Sequence, residues 1–291
     1  SQMPPEGRGL ILLETTGGVV ARFSNVQSFP FNAEEGTFAD SDWLAVHHDG
    51  TAGKRLSLRE LGTDRSTDLT GVREFAFNAS GSRLAWIDGA GVHAYSLSSR
   101  VTTDLDAGGA GLKTLTWSAA GNALALFRDC GGPTHEGAER SSDACSILAF
   151  SGLDGTSPGR FVLQPKSWDS FPRGFEISTN ASWYPYVARA PLIWREDENG
   201  LFFGVRRQPA GAAVPAQQGV VIWRSNDVRL PSTDRAIAAD DQFSYLSFAD
   251  LKSHRFVRLA DESIPEVEPH TRAPSLLGFV SEPYDREYSL T

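Results

Sequence analysis

Four groups of residues in this chain have types and spacings that chemistry could use. Gly155-Thr-Ser157-Pro-Gly159 matches the G-x-S-x-G pattern of a nucleophilic serine. That chemistry needs a strand, a strained turn bearing the serine, and then a helix. Here Ser151–Leu153 and Arg160–Leu163 read as strands on both sides, so the segment reads as a hairpin turn. Pro158 also removes an N–H that an oxyanion site would use. Ser157 is therefore not expected to be a nucleophile, and the chain is expected to carry no catalytic residue. His47-His48-Asp49 offers three metal-ligand types in a row. Neighbours on a strand face opposite sides, so both histidines do not easily reach one ion. The run reads as a strand end entering the Asp49-Gly50 turn. Glu34-Glu35 is a paired carboxylate and the candidate for holding a substrate amine, although such a pair is more often a solvated loop.

Cys130 and Cys145 are the only cysteines, and they bracket 14 mostly polar residues. Ala123–Phe127 before them and Ser146–Phe150 after them look like strands. A hairpin with a cysteine at each side of its neck suits a disulfide, which favours an oxidising compartment. The competing reading is two free thiols in a cytosolic protein. His135 lies between them, but two Cys and one His without a fourth ligand make no structural zinc site. No metal or other cofactor is expected. Trp168-Asp169 is a lone WD dipeptide that does not recur. Paired acids at equivalent blade positions, as a propeller glycosidase would need, do not stand out.

The elements around these residues repeat. Val26-Gln-Ser-Phe29-Pro-Phe31-Asn32, Val72-Arg-Glu-Phe75-Ala-Phe77-Asn78 and Leu112-Lys-Thr-Leu115-Thr-Trp117-Ser118 read alike. The second continues Ala-Ser-Gly81-Ser-Arg-Leu84-Ala85-Trp86, and the third Ala-Ala-Gly121-Asn-Ala-Leu124-Ala125-Leu126. Phe31, Phe77 and Trp117 are 46 and 40 residues apart, and Leu192-Ile-Trp194 with Leu201-Phe-Phe203 looks like a fourth copy. Strands and turns at a period of about 40–50 residues are the signature of a β-propeller. The expectation is an all-β propeller of four-stranded antiparallel blades, about five to seven of them, in a single domain over 1–291 whose ring is incomplete or closed. The four rings should be buried, with Ala85 and Ala125 beneath neighbouring rings. Other strands are expected at Leu10–Leu13, Trp43–His47, Arg55–Arg59, Val92–Leu97, Gly219–Trp223, Phe243–Phe248, Arg255–Leu259 and Leu276–Val280. One short helix is expected at Pro231–Asp241, and 167–191 shows little strand pattern.

Net charge is -9 with no basic cluster, which argues against a nucleic-acid partner. No apolar run approaches the roughly 18 residues of a membrane span. The start Ser1-Gln-Met3-Pro-Pro lacks the apolar core of a signal peptide, which could have been cut away.

The C-terminal third is more specific. Val220-Val-Ile-Trp223-Arg-Ser-Asn-Asp227-Val-Arg229-Leu230 is followed by Asp240-Asp-Gln-Phe-Ser244-Tyr245-Leu, then Arg255-Phe-Val-Arg-Leu259-Ala-Asp261-Glu262 and Pro283-Tyr-Asp-Arg286-Glu. This order resembles the N-terminal propeller of bacterial prolyl-oligopeptidase-type serine peptidases of the dipeptidyl-peptidase-like kind. The earlier modules are similar to the strands of that family and of TolB-like proteins. The resemblance spans about Leu10 to Leu290 and is specific in Val220–Arg286. It implies a non-catalytic propeller that covers a hydrolase site and admits short or unfolded peptides. The family's Ser-Asp-His triad sits in a C-terminal hydrolase domain that this sequence lacks, so the chain is expected to start and stop inside the propeller. Peptidase activity is implied for a longer parent or a partner chain. The alternative is a stand-alone TolB-like propeller that binds a protein partner. Either implies a peptide or protein partner and a periplasmic or secreted bacterial location.

Overall fold

The computed structural model describes residues 9–14, 18–32, 41–48, 54–63, 65–130, 145–155, 157–179, 190–208, 244–272 and 275–280. Among them the chain is strand and turn, apart from a 3-10 turn at Pro165–Ser167. β1 (Leu10–Leu13) and β2 (Val19–Phe23) pair as a hairpin. β3 (Val26–Ser28), β4 (Trp43–His48), β5 (Arg55–Glu60) and β6 (Ser66–Thr70) make an antiparallel sheet in chain order. β7 (Glu74–Phe77), β8 (Arg83–Ile87), β9 (Gly91–Ser96) and β10 (Val101–Ala107) repeat that arrangement. β11 (Leu112–Trp117), β12 (Leu124–Arg128), β13 (Ser146–Ser151) and β14 (Gly159–Leu163) follow in a third sheet. The next sheet runs β15 (Phe175–Ser178), β17 (Gly200–Arg207), β18 (Tyr245–Asp250), β19 (Arg255–Arg258), with β16 (Leu192–Trp194) also pairing with β17. β20 (Glu266–Glu268) and β21 (Leu277–Phe279) form a last hairpin. Successive four-stranded meanders of this kind are propeller blades, so the fold is all-β and of β-propeller type.

The repeat appears as one recurring backbone bond. The N–H of Asn32 donates to Trp43 O (3.2 Å), Asn78 to Arg83 O (3.0 Å), Ser118 to Ala123 O (2.9 Å) and Arg195 to Gly200 O (2.9 Å). Each donor directly follows one of the four rings, so Phe31, Phe77, Trp117 and Trp194 are equivalent. Their burial is not: Trp194 is buried, whereas Phe31, Phe77 and Trp117 are only half-buried. Trp117 shows why. Its indole Nε1–H donates to Ala76 O at 3.0 Å, so the ring lies across the β7 backbone instead of filling a sealed core. Ala85 and Ala125 are fully buried.

The chain divides into two compact units, Ser1–Leu124 with Gly152–Pro158, and Ala125–Ser151 with Gly159–Thr291. In the first, Trp43, Ala45, Leu56 and Leu58 pack with Leu84, Trp86 and Leu97, so the faces of two successive sheets share one core. Each fully buried Leu or Phe is worth about 1.5–3 kcal/mol relative to exposure, and on the other face of β4 Leu44 and Val46 pack with Leu10, Leu12 and Phe23 of the β1–β2 hairpin. In the second unit, Trp168 stacks on Phe203 (6.2 Å) and Phe256 (5.2 Å). Trp168 is thus a core ring, not a repeat signature.

Five strands were not expected: β2, β6, β10, β15 and β20. β6 (STDLT) and β10 (VTTDLDA) are polar outer strands, mostly exposed, so they lack the apolar alternation that marks a strand. β15 lies inside the segment expected to have little strand pattern; pairing of Phe175–Ser178 with Arg207–Gly204 creates it. The helix expected at Pro231–Asp241 and the strand at Gly219–Trp223 lie outside the described residues.

Candidate functional site

The structure separates the residues singled out by type. Ser157 is exposed on the turn between β13 and β14, whose register ends at Ser151 opposite Gly159. The context is strand–turn–strand, with none of the helix a nucleophile elbow requires. His47 and His48 are both buried and diverge: His47 Nε2 meets Val72 O at 3.2 Å, while His48 turns to Ser24 and Ser57. Cys130 and Cys145 are joined by a disulfide, with Cα atoms 4.3 Å apart. Glu34 and Glu35 lie outside the described residues. Among the described residues no three His, Cys, Asp or Glu side chains are arranged to hold a metal ion, and no helix is long and apolar enough to cross a membrane.

What the fold does gather is a set of polar fasteners. Asn78, 3% exposed, caps its own turn: Oδ1 accepts the N–H groups of Ser82 and Arg83, each at 2.9 Å. Its Nδ2–H donates to Gly121 O at 3.1 Å, in the equivalent turn of the next repeat. Asn32 does the same one repeat earlier, accepting from Trp43 N–H (3.0 Å) and donating to Gly81 O (2.9 Å). Gly81 and Gly121 have positive φ, and a Cβ on Gly81 would sit 1.7 Å from Asn32 O. The glycines are therefore required by conformation and by the close approach of the preceding repeat. Glu74 adds a second stitch, its carboxylate accepting from Thr114 N–H (2.8 Å) and Leu115 N–H (2.6 Å).

Two buried histidine relays cross the outer strands. In the first, His48 Nδ1 faces Ser24 O (2.9 Å), His48 Nε2 faces Ser57 Oγ (3.1 Å), and the Ser57 hydroxyl donates to Asp68 Oδ1 (2.6 Å). These are the residue types of a hydrolase triad, in the wrong order. The serine is in the middle, 5% exposed, with its proton committed to Asp68. It also sits on β5, which is paired on both sides and has no spare backbone N–H pair for an oxyanion. In the second relay, His93 lies between Asp104 Oδ1 (2.7 Å, from Nδ1) and Asp88 Oδ1 (3.2 Å, from Nε2) and stacks on Trp86. Burial works to raise the Asp88 carboxyl. Donors from Ala90, His93, Gly91 and Trp86 together outweigh it and hold the group below the usual carboxylate range. The relays are equivalent by position. Ser57 pairs with Val46 and Asp68, and His93 pairs with Trp86 and Asp104; His48 and Asp88 stand two residues after Val46 and Trp86, His48 at the end of β4 and Asp88 just past β8.

On the second unit, Arg258 lies over the rings of Phe175 (5.2 Å) and Tyr245 (5.8 Å), and Arg207 also covers Phe175 (5.5 Å). Glu262 takes both cations, Arg207 directly and Arg258 at 3.6 Å. Burial, then Glu262, pushes the Tyr245 phenol up. Sequence reasoning missed these clusters because their members come together only by strand pairing or across repeats, on segments with no motif.

No family model matches the chain, and no curated protein matches it. The chain is similar to TolB and to protease propellers. Against TolB from Acinetobacter baumannii the identity is 14%, over 90% of this chain and 52% of that one, with a TM-score of 0.36. Against the β-propeller domain of the Trilobed protease from Pyrococcus furiosus it is 7%, over 76% and 54%, at 0.38. Against the β-propeller domain of Cps50 (Swd1) from Myceliophteria thermophila it is 10%, over 94% and 73%, at 0.39. The chain spans about half the length of the first two.

Proposed function

We propose that this chain is a non-catalytic propeller scaffold of the prolyl-oligopeptidase type, which gates access of peptides to a serine hydrolase domain carried elsewhere. One observation supports the scaffold role most directly: Asn32 and Asn78, at equivalent turns, each stitch their own repeat to the next. Such a body is stiff and offers its loops and faces, not its interior, to a partner. The peptide-gating role rests on the resemblance of Val220–Arg286, of which Ser244-Tyr245-Leu246 enters β18 and Arg255–Arg258 forms β19. The partner is a peptide or protein, and the location is periplasmic or secreted, which suits the disulfide.

The gene beyond Thr291 and the activity of its full product test this. A strand, a Gly-x-Ser-x-Gly turn and a helix are expected downstream, in a product that cleaves short peptides and spares folded proteins. A full product that lacks this motif, or that cleaves folded and short substrates alike, would overturn the gating role. The chain alone is expected to turn over peptide and ester substrates at background rate, unchanged by Ser157→Ala.

A further inference from the structure

We propose that the two histidine relays are proton-held fasteners of the outer strands, each closed by one proton more than a neutral imidazole and ionised carboxylates provide, so that β6 and β10 loosen as that proton is lost on raising the pH.

The argument is a count of donors and acceptors. His93 faces a carboxylate oxygen from each ring nitrogen, Asp104 at 2.7 Å and Asp88 at 3.2 Å. An ionised carboxylate only accepts, so both bonds require N–H on both nitrogens. A neutral ring makes one bond and turns a lone pair on the other carboxylate. Asp88 does not supply the missing proton, because Ala90 N–H (2.7 Å), Gly91 N–H (3.1 Å) and Trp86 Nε1–H (3.2 Å) already favour its ionised form. The Trp86 ring, 5.0 Å away and nearly parallel, offers its face to a cationic imidazole.

The first relay reaches the same count with different residues. Ser57 has one hydroxyl proton, and it goes to Asp68 at 2.6 Å. Ser57 Oγ then accepts from His48 Nε2, while His48 Nδ1 faces the Ser24 carbonyl, another pure acceptor. Either His48 carries both protons, or the extra proton sits on Asp68 and the Ser57 hydroxyl turns to His48. The total is the same.

The charges facing each relay differ. Around His93 they are Asp88, just after β8, and Asp104 from β10; Arg73 donates to the backbone carbonyls of Asp88 and Gly109. Around His48 they are Asp68 from β6 and Arg55 of β5, which stands opposite His48 in register and lies 3.6 Å from Asp68. Arg55 opposes a second cation beside it, so the His93 relay is the stronger fastener. Both outer strands depend on such a device. β6 has only Leu69, and β10 only Leu105, turned into the sheet.

The test is a histidine side-chain 15N titration of the whole chain, read with hydrogen exchange of the outer strands in the same samples. At mildly acidic pH both nitrogens of His93 should carry protons. Raising the pH until that form disappears should lower protection of β10 about tenfold, the scale of a hydrogen bond to a charged group, and leave β8 and β9 protected. Asp104→Asn supplies an amide that both donates and accepts, so it should remove the pH step in β10 and keep the one in β6. Ser57→Ala should do the reverse. A neutral His93 ring while β10 is fully protected, or protection of β10 that does not change with pH, would overturn the proposal. Both are read on the unmutated chain and need no variant to fold.

Discussion

Replacing Asn78 separates the local cap from the stitch to the next repeat. Asn78→Ala removes the acceptor for Ser82 N–H and Arg83 N–H and the donor for Gly121 O, Ser80 Oγ and Ser82 Oγ, at a site 3% exposed. At about 0.5–1.5 kcal/mol each, with buried groups left unpaired, the loss should be about 3 kcal/mol. Asn78→Ser keeps a cap, because Ser118 makes one at the equivalent position, its Oγ accepting Gly121 N–H and Ala123 N–H at 3.1 Å each. The stitch is lost with the amide's contacts to Ser80 Oγ and Ser82 Oγ, whose hydroxyls can turn to other partners, so the cost should be about 1 kcal/mol. Asn78→Asp keeps both cap bonds but sets a carboxylate oxygen against Gly121 O, for about 2 kcal/mol. Urea unfolding gives these values if the slope is unchanged, and hydrogen exchange of 118–123 reports on the neighbouring turn. An Asn78→Asp protein as stable as the parent would refute the stitch. Asn78→Ser as damaging as Asn78→Ala would refute the division between cap and stitch.

Gly81→Ala should cost about 3 kcal/mol or more, since its Cβ would sit 1.7 Å from a backbone oxygen; Gly62→Ala, with similar φ and nothing within 4 Å, should cost only about 1–2 kcal/mol. Thermal unfolding compares them, and equal losses would mean strain alone decides. Replacing Cys130 and Cys145 by serine should cost about 3 kcal/mol, from the loop-entropy scale for ~15 residues; an unfolding midpoint indifferent to reductant would contradict this. Asp88, held below the usual carboxylate range, contributes stability that is present above the range where an unfolded aspartate titrates and is lost as pH falls. Asp88→Asn should therefore lower stability at neutral pH and flatten the acid side of the stability–pH curve, and a curve parallel to the parent's would count against the role.

Local pattern carried the blades in the sequence. Phe75-Ala-Phe77 and Leu84-Ala85-Trp86 alternate large and small apolar side chains at the period of a strand, and Gly81 and Gly121 mark turns that only glycine makes well. A period of two and a turn signal are properties of neighbours in the chain, so they are visible without the fold. The same is true of Ser157, whose flanking strands and Pro158 mark a hairpin turn, and of Cys130 and Cys145, which close their own loop. What tertiary structure decided is everything that joins residues distant in sequence. Asn78 and Gly121 are 43 residues apart, and nothing in the residues beside either announces the bond. The polar strands β6 and β10 are formed by pairing with β5 and β9, with Asp68 and Asp104 bonded to Ser57 and His93 across the sheet, and show none of the apolar alternation that a sequence displays. Half-burial of Trp117 was likewise invisible: residue type says that a ring is apolar, whereas the carbonyl of Ala76, 41 positions away, says where its N–H must lie.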